Sequence, residues 1–203
     1  MIPASEALER LRDGNRRFIA NEPPSTLESR EKLRKALATG QHPFAIVIGC
    51  SDSRVPPELI FDQELGDLFV VRVAGNVIAP SQLGSVEFAA ESFGTRLVVV
   101  LGHSRCGAVM AALKAAEEGG VTASANIRSF LDRVTASVEN LRSTAMNLKP
   151  EERLQEAVRA NVRASANHLR NGSDVLRKLI EKDGLRVVGA EYSLESGAVT
   201  FID

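Results

Sequence analysis

Both cysteines of the chain, Cys50 and Cys106, and one of its three histidines, His103, lie in two short polar loops. The first loop reads Gly49-Cys50-Ser51-Asp52-Ser53-Arg54 and the second Gly102-His103-Ser104-Arg105-Cys106-Gly107. Two thiolates and an imidazole suit Zn²⁺ in tetrahedral geometry. His103 and Cys106 are close enough in sequence for one turn to aim both at a single ion. Cys50 joins them if its strand neighbours theirs. Three protein ligands leave a fourth position open, the mark of a catalytic rather than a structural zinc site. Two thiolates and a neutral imidazole bring the ion's net charge near zero, so it polarises water less than a three-histidine site and needs help from neighbours. Asp52 and Arg54 are placed to give it. Arg54 can hold Asp52 ionised through charge-assisted hydrogen bonds, leaving Asp52 to accept a hydrogen bond from a zinc-bound hydroxide.

Each feature alone has an ordinary explanation. A free cysteine is commonly a small buried hydrophobe, and an isolated Asp-x-Arg pair is commonly a surface ion pair worth little. The joint placement of all five residues favours a metal site. A Cys50–Cys106 disulfide requires an oxidising compartment, to which nothing in the sequence points, so reduced thiols are expected. The cysteines lack Cys-x-x-Cys redox spacing, and Gly119-Gly120 has neither the strand nor the spacing of a phosphate loop. His168 reads as a solvated helix residue. His42, before Pro43, reads as a loop residue able at most to shuttle protons.

The elements that must position these loops follow from the apolar patterning. Both loops leave continuous apolar runs, 44–49 and 97–101, and a third run covers 68–73. Such runs suit strands buried on both faces of a parallel sheet. Helical spacing is expected over 5–20, 27–39, 82–93, 107–118, 124–140, 151–170 and 173–182. A strand at 185–192, a Glu195-Ser196-Gly197 turn and a last short strand close the chain. Strands alternating with helices imply an α/β single domain with a mostly parallel central sheet flanked by helices. The terminal hairpin adds an antiparallel edge. Open parallel sheets build their sites beyond the carboxyl ends of the strands, where both loops fall. Residues 1–40 form a polar helical arm that needs a surface to lie on, and a second subunit offers one.

The 25 basic and 26 acidic residues nearly cancel, giving a net charge of −1. That balance supplies no long-range attraction for nucleic acid or an anionic membrane. No segment has the roughly 18 consecutive apolar residues of a membrane helix. The N-terminal stretch mixes apolar residues with charges, unlike a secretory leader. A cytoplasmic location is expected.

Cys50-Ser51-Asp52-Ser53-Arg54 followed by His103-x-x-Cys106 resembles the signature of the β-class carbonic anhydrases. The resemblance extends through Val55-Pro56-Pro57-Glu58, Asp67-Leu68-Phe69-Val70-Val71-Arg72 and Ala74-Gly75-Asn76. It implies four parallel strands plus a C-terminal antiparallel strand, in a homodimer or a dimer of dimers. It implies one zinc per subunit on Cys50, His103 and Cys106, with Asp52 and Arg54 as the orienting pair. The substrates it implies are carbon dioxide and bicarbonate. Gln41 would line the substrate pocket and Phe69 its apolar wall, the pocket being completed across the dimer interface. The Gly107 N–H would face a bicarbonate oxygen, and Phe88 stands where plant-type members carry a tyrosine. Some members close their site when bicarbonate fills a second pocket built around a tryptophan. Here Val47 holds that position, although Arg72 and Tyr192 match other parts of the pocket. An open site with Asp52 on Arg54 is therefore expected at neutral pH. The implied reaction is attack of zinc-bound hydroxide on carbon dioxide, with activity rising between about pH 7 and about pH 9. Competing readings are hydrolysis of carbonyl sulfide or carbon disulfide on the same scaffold, or a non-catalytic zinc-stabilised binding module, which needs a fourth protein ligand.

Overall fold

In a computed structural model of the chain, residues 2–22, 30–118, 123–144 and 147–202 are described. Five strands form one sheet in the order β2-β1-β3-β4-β5. They are β1 (Ala45–Gly49), β2 (Leu68–Arg72), β3 (Leu97–His103), β4 (Arg186–Tyr192) and β5 (Val199–Ile202). The first four are parallel, and β5 runs antiparallel to β4. The expected α/β architecture, with its single antiparallel edge strand, is the one found.

Every residue of β1 and β3 is buried. Successive side chains of a strand point to opposite faces, so the two runs feed two cores. Val47, Val99 and Leu101 face one core with Leu8 and Leu11 of α1 (Ala4–Ala20) and Val109 of α5 (Gly107–Glu118). Ile46, Ile48, Val98 and Val100 face the other, with Val86 of α4 (Pro80–Ser92) and Leu169 of α8 (Pro150–Asn171). Each such side chain contributes about 1.5–3 kcal/mol on burial, which makes the two central strands rigid supports for the loops at their ends. Gly102 shows how closely α8 approaches, since a Cβ there would meet Val162 Cγ2 at 2.5 Å.

The run at 68–73 differs from its expectation. It is a strand, but it lies on the sheet edge, and all of its residues are partly exposed. An apolar run reports a wish to be covered without saying by what. The second charged helix is shorter than 27–39: α2 spans Arg30–Ala36 and tightens into a 3₁₀ turn over Leu37–Thr39. The start of the expected helix lies outside the described residues. Helix α4 begins two residues early because Pro80 opens it and the Gln82 side chain accepts the Ala79 N–H at 3.3 Å.

Helix α1 finds its surface within its own chain. Its Ala7, Leu8 and Leu11 are buried. Buried Asn15 donates to the carbonyls of Ile60 (3.1 Å) and Gly197 (2.9 Å) and accepts the Val199 N–H at 2.8 Å. That one carboxamide ties α1 to the end of α3 (Pro57–Ile60) and to the β4–β5 hairpin. Among the described residues the remaining helices are α6 (Ala125–Val138), α7 (Leu141–Thr144) and α9 (Asp174–Lys182).

Candidate metal centre

Because β1 and β3 are neighbours in parallel register, with Gly49 opposite Leu101, their carboxyl ends open side by side. Cys50 leaves β1 there, while His103 ends β3 and Cys106 precedes α5. All three are buried, and their ligand atoms lie within 4.8 Å of one another. The sulfurs are free thiols 3.9 Å apart. Two zinc–sulfur bonds of about 2.3 Å at a tetrahedral angle span about 3.8 Å, so the observed separation fits one shared ion.

The imidazole is set for the same task. His103 Nδ1 is 2.9 Å from the Ser104 carbonyl oxygen, to which it donates, and this fixes the tautomer. Nε2 then carries the lone pair. It is buried with no hydrogen-bond partner, which costs free energy unless something such as a cation occupies its front. Donor types, spacing and the orphaned nitrogen all fit a zinc ion.

The two thiols share a proton unequally. A hydrogen bond from Cys106 is the main cause that lowers Cys50 to about 4, against the opposing effect of burial, with smaller help from His103 and from the backbone at Asp52 and Gly75. Cys106 is pushed up as the donor to that thiolate and by burial. The Gly75 N–H, 3.4 Å from Cys50 Sγ, is a backbone donor aimed at the thiolate. Gly75 sits at φ +69°, where a Cβ would come within 3.0 Å of Val134 Cγ2 and 3.1 Å of Ala108 Cβ. Its carbonyl accepts from buried Asn161 of α8 at 2.7 Å, and Asn161 in turn accepts from Ser137 Oγ at 3.1 Å. Sequence reasoning missed Asn161 altogether. The available signal was the Ala-Gly-Asn turn straight after β2, whose glycine and asparagine favour left-handed backbone.

Asp52 and Arg54 form a two-pronged pair. Arg54 Nε donates to Asp52 Oδ1 at 2.9 Å, Nη2 donates to Oδ2 at 2.7 Å, and the Arg54 N–H donates to Oδ1 at 3.0 Å. These contacts hold the Asp52 carboxyl well below the usual carboxylate range. Asp52 Oδ2 stands 4.0 Å from His103 Nε2, beside the metal position and engaged elsewhere. Arg72 donates to the carbonyls of Cys50 (2.9 Å) and Asp52 (2.6 Å), so it braces the ligand loop. Tyr192 is buried, as is Val47.

The other residues singled out from sequence do not all converge. Gly107 follows Cys106 at the start of α5, and a Cβ there would meet nothing within 4 Å. Gln41 lies in an exposed loop at the opposite end of β1 from Cys50, and Phe69 pairs with Ile46 in that half of the sheet. At about 3.3 Å per residue, the length of β1 separates Gln41 from the candidate ligand group in the same chain. Phe88 is 54% exposed and packs its ring against Phe69 (6.4 Å between centroids) and Phe93 (5.6 Å). His42 and His168 are exposed, away from the ligand group.

The carbonic anhydrase family profile matches residues 45–199. The chain is 39% identical over 197 residues to carbonic anhydrase 2 of Mycobacterium tuberculosis, covering 97% of this chain and 92% of that protein. It is 38% identical to the carbonic anhydrase of Pseudomonas aeruginosa, covering 94% and 86%. Its structure resembles the β-carbonic anhydrase CafA of Aspergillus fumigatus with a TM-score of 0.77 at 29% identity, over 98% of this chain and 90% of that one. A tetrameric β-carbonic anhydrase from Sordaria macrospora matches with the same TM-score at 27% identity, over 85% and 86%.

Proposed function

The chain belongs to the β-carbonic anhydrase family, and from that premise we propose that Cys50, His103 and Cys106 hold the zinc with which it hydrates carbon dioxide reversibly. The observation that carries the site assignment is the buried trio of ligand atoms within 4.8 Å, one of them a histidine nitrogen with no other partner. Zinc bound there supplies an acidified water as nucleophile, its pKa brought down toward neutrality.

The chain's own groups do the rest. Arg54 keeps Asp52 ionised and fixes its carboxylate plane through the paired hydrogen bonds. Asp52 accepts a hydrogen bond from the attacking oxygen and so turns that atom's lone pair toward the substrate carbon. The Gly107 N–H, at the start of α5, is assigned to an oxygen of the product. The proton passes to bulk buffer. A closed, non-catalytic zinc site needs a fourth protein ligand, and the neighbouring carboxylate, Asp52, is occupied by Arg54.

Gln41, Phe69 and Phe88 enter this scheme from a second copy of the chain. Their distance from the metal group within one subunit, the apolar edge strand β2 and the exposed Phe88 ring all support a dimer that covers this edge. An apolar wall suits carbon dioxide, which has no net dipole. Helix α2, mostly exposed, shares a cavity with Gln41 and Phe93 through Arg34 and is assigned to that interface, within one domain spanning 1–203. Two unbonded thiols that must stay reduced to bind metal support a cytoplasmic setting, and among the described residues no helix is long and apolar enough to cross a membrane.

The test is carbon dioxide hydration measured against bound zinc. Activity that rises in proportion to zinc content and is lost with a chelator is the expected result. A chain fully loaded with zinc yet inert toward carbon dioxide, or equally active without metal, overturns the proposal.

A further inference from the structure

The two ligands of the second loop, His103 and Cys106, are separated by Ser104 and Arg105 alone, and both of these residues are held by one carboxylate from a distant turn. Glu195 lies between β4 and β5. Its Oε2 accepts from Ser104 Oγ at 3.1 Å, and its Oε1 pairs with Arg105 Nη2 at 3.0 Å. Ser193 Oγ also donates to Oε2, at 3.3 Å.

Ser104 is oriented at every polar atom. Its hydroxyl gives its hydrogen to Glu195 and accepts the Leu194 N–H at 2.9 Å. Its own N–H donates to the Tyr192 carbonyl at 2.9 Å. Its carbonyl is the acceptor that sets the tautomer of His103. Any rotation of the Ser104 peptide therefore moves the hydrogen bond that aims Nε2 at the metal. Arg105 is held in left-handed backbone at φ +54°, uncommon for a residue with a side chain. Its carbonyl lies 3.4 Å from Arg54 Nη2, the same nitrogen that grips Asp52. The turn bearing Glu195 is itself anchored, because Asn15 of α1 binds Gly197 and Val199.

We infer that Glu195 is a positioning residue of the metal centre: its carboxylate clamps Ser104 and Arg105 so that His103 Nε2 and the Arg54–Asp52 pair keep their bearings. The inference rests on the zinc reading of Cys50, His103 and Cys106. Exposure of the Glu195 and Arg105 side chains, 51% and 69%, leaves the ion pair little to contribute to the fold itself. That separates a positioning role from a structural one.

The experiment compares the wild-type protein with Glu195→Ala, Glu195→Gln and Ser104→Ala. It reads the melting of the metal-free proteins, the rate of zinc release to a chelator, and the visible spectrum after cobalt replaces zinc. Partners of metal-bound histidines typically change metal affinity or activity by about 10–100-fold when removed. One bond further out, Glu195→Ala is expected to release zinc about three- to tenfold faster, with a shifted cobalt spectrum and unchanged metal-free melting. Glu195→Gln falls between, since it keeps an acceptor for Ser104 and loses the charge for Arg105. Ser104→Ala resembles Glu195→Ala and carries the test if the latter fails to fold. A wild-type protein that holds zinc, with variants matching its release rate and spectrum, overturns the clamp alone. A wild-type protein that takes up no zinc overturns the site and the clamp together. Faster release matched by an equal loss of metal-free stability also overturns the clamp, because the effect is then on the fold.

Discussion

Arg54 holds both carboxylate oxygens of Asp52, Nε to Oδ1 at 2.9 Å and Nη2 to Oδ2 at 2.7 Å, within 4.0 Å of the histidine nitrogen that faces the metal position. In the proposed mechanism the pair keeps an acceptor beside the reacting atoms without letting it become a ligand. Asp52→Asn preserves the shape and removes the charge. It is expected to retain zinc and to lose turnover by about 10–100-fold. Zinc content and stopped-flow hydration rates measured on the same sample check this, and unchanged turnover removes Asp52 from the chemistry.

The same pair contributes to acid stability. The Asp52 carboxyl is depressed in the folded protein, chiefly by Arg54. Its contribution is therefore present above the unfolded-state value of about 3.9 and is lost as pH falls below it toward the folded value. Wild type should be more stable than Asp52→Asn at neutral pH, and the gap should narrow below about pH 4. Melting temperatures of both proteins, followed downward from pH 6, show whether it does.

In the metal-free protein the sulfurs should titrate far apart. Cys50 is lowered to about 4 by its bond from Cys106, while Cys106 is pushed up. The ultraviolet absorbance of thiolate should thus show one thiolate persisting through neutral pH and a second appearing only above the ordinary thiol range. Two thiolates appearing together near the ordinary value of about 8.5 would mean that the pair does not share its proton.

Much of this was legible in the sequence, for identifiable reasons. The runs at 44–49 and 97–101 must be buried on both faces, and they deliver Cys50 and His103 to the carboxyl end of the sheet. Chemical type then restricts what two thiols and an imidazole can do together. The run at 68–73 was legible as a strand but not as an edge, because composition records the need for cover and not its source. Gln41, Phe69 and Phe88 read as pocket residues from the family resemblance alone; the length of β1 places Gln41 and Phe69 away from the candidate metal group of the same chain, and Phe88 packs on Phe69. The roles of Asn161, Ser104 and Glu195 were not legible, since they depend on contacts across 86 and 91 positions or on a single peptide's direction.

Gly75 illustrates a contact that only the fold discloses. Its N–H points at Cys50 Sγ from left-handed backbone, with Val134 and Ala108 crowding the missing side chain. Gly75→Ala is expected to cost about 1–2 kcal/mol from the backbone strain, a melting decrease of about 2–8 °C for a chain of this size. It should also weaken zinc retention by displacing the donor from the thiolate. Full retention of both stability and zinc would contradict the role assigned to this turn.

The most direct measurement is the crystal structure of the zinc-loaded protein at neutral pH. The expected result is zinc on Cys50 Sγ, Cys106 Sγ and His103 Nε2, with solvent in the fourth position and Asp52 still bound to Arg54. A zinc–Asp52 oxygen distance of about 2.0–2.2 Å, or zinc held by any other set of residues, would contradict the account.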